Sequence, residues 1–90
     1  MINEASIRCF LKLAQTLSFT ETAKQMYMTQ QSVSKYIAKL EEDLGFPLFM
    51  RTHHCVRMTR AGERFYELFS RFEEEFGAAM EETRQYYHTM

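Results

Sequence analysis

The run from Thr59 to Tyr87 contains no proline and only Gly62 and Gly77 as breaks, and it constrains the fold more than any other feature. Thr59 is a suitable N-cap. Beyond it Phe65, Phe69, Phe72, Phe76, Ala79, Thr83 and Tyr86 or Tyr87 recur at alternating spacings of four and three. That periodicity predicts one helix reaching to about Tyr87, roughly 40 Å long at 1.5 Å per residue. In a chain of 90 residues, so long a helix outruns the one small core that the other residues can build. Phe65 to Phe72 lie close enough to the domain to pack on it. From Phe76 onward the aromatics have no body beneath them, and exposed aromatics on an isolated helix require a partner. A second copy of the same helix satisfies that need. The sequence therefore predicts a two-fold dimer whose interface includes Phe69, Phe72, Phe76, Ala79, Met80, Thr83 and Tyr87. Gly77 costs a helix interior about 1 kcal/mol relative to Ala, and it marks either a close helix crossing or a bend.

The rest of the chain also reads as helical, because it holds a single proline and few glycines. Glu4 to about Gln15 forms a first helix with Asn3 as N-cap and Ile7, Phe10, Leu11, Ala14 and Leu17 as its buried face. Ser18-Phe19-Thr20-Glu21 fits a capping box, with Ser18 bonding the Glu21 amide and Glu21 reaching back. It opens a short helix from Phe19 to about Met26, on which Ala23 permits close approach of a neighbour. Tyr27 and Met28 connect to Thr29, the N-cap of a third helix with Val33, Ile37, Leu40 and Leu44 as its buried stripe. Gly45 ends that helix, Phe46 is expected to fold back onto Leu40, and Pro47 bars continuation. Leu48 to Met58 reads as a small hairpin with a polar tip at His53 and His54.

The third helix is charged the wrong way round. Glu41, Glu42 and Asp43 fill its last turn, where the backbone dipole favours cations. Gln30, Gln31, Ser34 and Lys35 crowd its front with no evident partner on their own chain. A short helix, a tight turn and a second helix with a polar outer face describe a helix-turn-helix, and the hairpin adds a wing. In that arrangement the front of the third helix enters a DNA major groove. Gln pairs with adenine and Lys with guanine, the helix N-terminus favours phosphate, and the acidic end points away. The wing spans residues 49–58. The expected DNA-binding set is Thr29, Gln30, Gln31, Ser34, Lys35, Lys39, Arg51, His53, His54 and Arg57, with a salt bridge to the Glu41–Asp43 turn as the competing role for Arg51. Histidine changes charge between pH 5 and 8, so the wing histidines are expected to tighten DNA binding as pH falls. The chain's net charge of −1 is no obstacle, because charge distribution decides binding. Residues 41–43 carry three negative charges and residues 71–90 a net of three more, which leaves +5 on the body.

Two cysteines, Cys9 and Cys55, do not make a secreted disulfide framework, and a reduced cytoplasmic setting is the default. No apolar run approaches the ~18 residues of a membrane span, and no signal peptide opens the chain. His53, His54 and Cys55 do not read as a metal site, since adjacent strand residues point to opposite faces and zinc needs three or four convergent ligands. No metal and no cofactor is expected, and Cys55 reads as an inert wing residue ahead of a redox switch. A small all-helical enzyme of the chorismate mutase kind needs cations projecting inward. Here the inward stripes are apolar and Lys35, Lys39 and Arg57 face out, so no enzyme is expected. A protein-interaction module without DNA binding stays open because of the acidic net charge.

The run SFTETAKQMYMTQQSVSKYIAKLEEDLGFPLFMRTHHCVRMTRAGE resembles the N-terminal domain of the LysR-type transcriptional regulators. Their pattern is met by Ser18-Phe19-Thr20 with Ala23, Thr29-Gln30, Ser34-Lys35, Leu40-Glu41 with Leu44-Gly45, Leu48-Phe49 with Arg51, and Thr59 with Ala61-Gly62. The resemblance implies a mainly α protein: a winged helix-turn-helix with a two-stranded β wing and a long C-terminal linker helix. Residues 1–58 would be the DNA-binding domain and residues 59–90 the dimerisation helix, with the family's effector-binding domain absent. It implies a bacterial DNA-binding protein acting on a pseudo-palindromic duplex as a homodimer, tetrameric in a full-length protein. By the same resemblance, Gln30, Gln31, Ser34 and Lys35 contact bases or phosphates, and Arg51, His53 and His54 belong to the DNA-reaching wing. Gln31 stands where Pro is usual. Lys35 stands where Arg is usual, which turns a bidentate fork into a point charge. His53 and His54 replace a Gly and an Arg, so the tip loses fixed charge. The chain is expected to be an excised fragment, with a natural stand-alone protein as the alternative.

Overall fold

Asn3 starts the first helix by accepting the Ser6 amide on its Oδ1 at 2.8 Å. In the computed structural model, which describes residues 2–88, six elements follow in order. They are α1 (Glu4–Thr16), α2 (Phe19–Gln25), α3 (Gln30–Leu44), β1 (Phe49–Arg51), β2 (Val56–Met58) and α4 (Arg60–His88). The expected four helices and hairpin are all present. The final two residues of the predicted 59–90 segment lie outside the described residues.

The corner between α1 and α2 differs from expectation. Leu17 was assigned to the buried face of α1, yet it is exposed and adopts a left-handed φ of 52°. The chain must reverse there, and the cost of a left-handed leucine is met by a cap in which its N–H donates to Leu13 O at 2.7 Å. Cys9 and Leu13, fully buried, complete the α1 stripe in its place. Only half of the capping box forms. The Glu21 amide donates to Ser18 Oγ at 3.1 Å, but the Ser18 amide goes to Thr16 Oγ1 at 3.1 Å. The Glu21 carboxylate instead accepts from Gln25 Nε2. The Thr16 hydroxyl also lies 2.7 Å from that of the fully buried Thr22, which ties the end of α1 to α2.

Phe10 is the hub of the core. Its ring meets Phe49 at 5.5 Å, Phe69 at 5.8 Å and Tyr66 at 6.5 Å, joining α1 to the wing and to α4. Val33, Ile37 and Leu40 present the buried stripe of α3 to this core, while Leu44 is half-buried. Gly45 takes the left-handed end of α3 at φ 92°. The ring of Phe46 lies 5.4 Å from that of Phe65 on α4.

The acidic end of α3 has a structural answer. Glu41 Oε2 accepts the amides of Leu48 and Phe49, at 2.7 and 3.1 Å. These are the first amides of the wing, so the carboxylate ties the end of the third helix to the root of β1. The antiparallel wing then pairs Phe49 with Met58, Met50 with Arg57 and Arg51 with Val56. The Thr59 amide donates to Leu48 O at 3.0 Å, while the Thr59 hydroxyl donates to Pro47 O and accepts the Gly62 amide. Replacing Glu41 with Ala leaves two amides at the wing root without their charged acceptor, a loss of about 2 kcal/mol. For a domain of this size we expect the thermal midpoint to fall by about 8–16 °C, read by circular dichroism. An unchanged midpoint would show that the carboxylate is dispensable.

The 29 residues of α4 span roughly 43 Å and stretch the molecule to 56 × 26 × 22 Å. Phe65, Tyr66 and Phe69 pack on the body. Two expectations change here. Phe69 was placed in a dimer interface, but it is 8% exposed and belongs to its own core. Phe72 was expected to pack on the domain, but it is 53% exposed and lines an open groove with Ile2 and Ile7.

Candidate nucleic-acid interface

Thr29 sets the start of α3: its Oγ1 accepts the Ser32 amide at 3.0 Å and donates to Ser32 Oγ at 3.0 Å. The hydroxyl is therefore engaged as the helix cap. Behind it, Gln30, Gln31 and Lys35 are exposed and Ser34 is half-buried. The first turns of α1, α2 and α4 carry Glu4, Glu21 and Glu63, whereas the first turn of α3 carries no acid. Apart from the Thr29 cap, the positive dipole end of α3 has no acid of its own to offset it, which suits an anion. Lys39, one turn beyond Lys35, is held to Asp43 at 3.4 Å and so has part of its charge answered within the helix.

The wing carries the arginines and histidines of the expected set. Arg51, His53, His54 and Arg57 are all exposed. The two imidazole rings stand 6.3 Å apart at the tip, closed by the Thr52 amide donating to Cys55 O at 2.9 Å. Arg51 was expected to meet either DNA or the acidic turn. Its guanidinium lies 4.5 Å from the ring centroid of Phe19, at the start of α2, a contact that no spacing in the sequence announces. The three parts of the site are thereby joined: Glu41 links α3 to the wing root and Phe19 links α2 to the wing's outer end. Tyr27, in the turn between α2 and α3, also went unread. It holds φ 56° and is 96% exposed.

The N-terminal end of α1 and the middle of α4 enclose a largely apolar groove lined by Ile2, Ile7, Phe72, Phe76 and Gly77 together with Glu4 and Glu73. Met80, Tyr86 and Tyr87 extend the exposed apolar surface of α4 beyond it. Among the described residues no group of three or more His, Cys, Asp or Glu converges to hold a metal, and no helix is long and apolar enough to cross a membrane.

The two cysteines differ sharply. Cys9 is fully buried against Met28, with Sγ 3.8 Å from Sδ, and burial pushes its thiol pKa up against the weaker opposing pull of Arg8. Cys55 is exposed on the wing. Titration of the native protein with an aromatic disulfide should therefore release one equivalent rapidly and the second only on unfolding. Two fast equivalents would mean that the α1–α2 corner opens readily.

The sequence profile described as bacterial regulatory helix-turn-helix protein, lysR family, matches residues 5–63. The chain belongs to the lysR family. Within the family it is 43% identical over 61 residues to the transcriptional regulator BudR of Klebsiella aerogenes, a match covering 68% of this chain and 43% of BudR. The crystal structure of a BenM DNA-binding domain with catB site 1 DNA superposes with a TM-score of 0.86 at 27% identity, covering 90% of each chain. Full-length OxyR from Pseudomonas aeruginosa superposes with a TM-score of 0.88 at 26% identity, covering 94% of this chain and 29% of that one. The chain thus spans less than half the length of BudR and under a third of OxyR. The lysR profile ends at Gly62 and Glu63, at the start of α4, whereas the structural matches continue along the helix.

Proposed function

We propose that this chain binds double-stranded DNA sequence-specifically, as a two-fold dimer held through α4. The observation that carries this reading is the front of α3, an acid-free helix start presenting Gln30, Gln31 and Lys35 to solvent, in a chain whose wing also exposes Arg51 and Arg57. The superposition on a family member solved with DNA supports it. In this reading Gln30, Gln31, Ser34 and Lys35 lie in the major groove, with Gln hydrogen bonding to adenine and Lys to guanine. Thr29 caps the reading helix rather than reading a base. Lys39, Arg51, His53, His54 and Arg57 contact the backbone or the minor groove and fix the register. Residues up to Met58 form the DNA-binding unit, and α4 carries dimerisation through Phe72, Phe76, Ala79, Met80, Thr83 and Tyr87. A homodimer with twin reading heads selects a pseudo-palindromic site. The role is transcriptional regulation in the cytoplasm, without catalysis or cofactor.

Selection from random duplexes, read for half-site sequence and spacing, tests the proposal. A two-fold motif is expected, and its affinity should fall steeply with salt in proportion to the phosphates contacted. On that motif Lys35→Ala should cost about 1–3 kcal/mol and relax preference at one base position, while Arg57→Ala should weaken all duplexes alike. No enriched motif, together with salt-independent or absent binding, would overturn the reading.

A further inference from the structure

Resting on that reading, the geometry points to Phe19 as a positioning residue for DNA binding, one that presents the Arg51 guanidinium to the phosphate backbone. Strand alternation makes the placement unusual. Phe49 and Arg51 share one face of β1 and Met50 the other. That shared face is the one Phe49 turns into the core, at 5% exposure. A cation two residues further along would ordinarily turn away to water. Here Arg51 stays on the body side and lays its guanidinium over the Phe19 ring, 4.5 Å from Cζ to centroid.

Both ends of this contact are anchored. Phe19 is the first residue of α2, half-buried and packed against the core, and its helix start is fixed by the Glu21 amide on Ser18 Oγ. Arg51 is the last ladder residue of β1, paired with Val56, so it stands within the hydrogen-bonded ladder and not in the tip loop. No described residue takes a hydrogen bond or ion pair from the guanidinium, so its N–H groups are left for an incoming phosphate. Those groups carry the fork that matches phosphate bidentately. The residue remains exposed overall, so a phosphate can reach that edge. A ring on one face removes much of the rotamer freedom that a free arginine surrenders on binding. Phe19 therefore acts through Arg51 and touches no DNA itself.

A double-mutant cycle on DNA affinity tests this, using the selected duplex and the intact chain. Phe19→Leu keeps an apolar side chain at the site but removes the ring face. We expect it to lose about three- to fivefold in affinity when Arg51 is present, and nothing further when Arg51→Ala is already in place. Phe19→Trp, with the stronger ring face, should retain or improve binding. Thermal unfolding separates the alternative of simple destabilisation: an affinity loss that follows the melting temperature and persists in the Arg51→Ala background would overturn the inference. Additive losses in the cycle would overturn it as well, even with wild-type binding intact. If the wild-type chain binds no selected duplex, the underlying DNA-binding reading fails instead. Should Phe19→Leu not fold, the Phe19→Trp arm crossed with Arg51→Ala gives the same coupling.

Discussion

Gly62→Ala is expected to destabilise the fold severely. Gly62 is buried two residues into α4, where the helix passes directly over the start of the wing. A Cβ there would overlap the carbonyl oxygen of Leu48, and would lie 3.1 Å from the Leu48 carbonyl carbon and 3.3 Å from Met58 Cβ. The first two atoms are backbone, and that backbone is fixed twice. Leu48 O accepts the Thr59 amide and the Leu48 amide is held by Glu41. Neither side has a flexible side chain to give way, so relief must come from moving α4 off the wing root. That displacement would break the Thr59 cap and disturb the Phe10–Phe49–Phe69 ring cluster together. We expect a loss of at least about 3 kcal/mol, the upper part of the range for overpacking a tight site. For a domain of this size that lowers the midpoint by about 12–24 °C. Gly77 supplies the contrast. A Cβ there meets nothing within 4 Å, and α4 runs unbroken through it. Gly77→Ala should therefore stabilise the isolated fold by about 1 kcal/mol. Denaturant unfolding of both variants at low protein concentration checks the pair. Near-equal stabilities for Gly62→Ala and wild type would show that the close approach of α4 to Leu48 is wrong.

The two glycines show what the sequence conveyed and what it withheld. Both were visible as breaks in a helical pattern, and nothing local distinguishes a glycine forced by a backbone above it from one facing open solvent. Helix starts were legible because their signals are local: Asn3, Ser18, Thr29 and Thr59 each accept an amide within the next turn, as their residue types announce. Links across sequence distance were not. Glu41 serves amides seven and eight residues on, and so it read as a charge in the wrong place. Arg51 finds Phe19 across the fold, and no spacing rule connects position 19 to position 51. Leu17 was misread for a related reason. Its spacing continued the α1 stripe, but the turn into α2 needed a left-handed residue there, and the stripe was completed by Leu13 instead. The front of α3 was legible as an exposed polar surface because its buried stripe was so regular.

Replacing Phe76 and Met80 together with Glu is expected to leave the fold intact and to cost most of the DNA affinity. These side chains are 53% and 44% exposed in the single chain, so removing them takes little from the core. Phe69, by contrast, is buried against Phe10 and Phe65, and Phe69→Ala should destabilise by about 3–5 kcal/mol without revealing anything about assembly. The exposed residues continue the same side of α4 that Phe65 and Phe69 turn to the body. At 100° per residue Phe65, Phe69, Phe76, Met80, Thr83 and Tyr87 fall within about 60° of one another. The body covers the first part of that line, and the groove beside Ile2, Ile7 and Gly77 leaves the next part open. Covering it with a second α4 would bury the aromatic stripe of each chain against the other, and two carboxylates placed there must stay in water. Sedimentation of the wild type should give a dimer and of the variant a monomer, with unchanged helical content. Linking two reading heads raises affinity for a two-site duplex by about 10²–10⁴ over one head alone. That factor should vanish in the variant, while binding to a single half-site stays as it was. A variant that remains dimeric, or a wild type that sediments as a monomer at tens of micromolar concentration, would remove α4 as the dimer contact and leave the reading of α3 standing by itself.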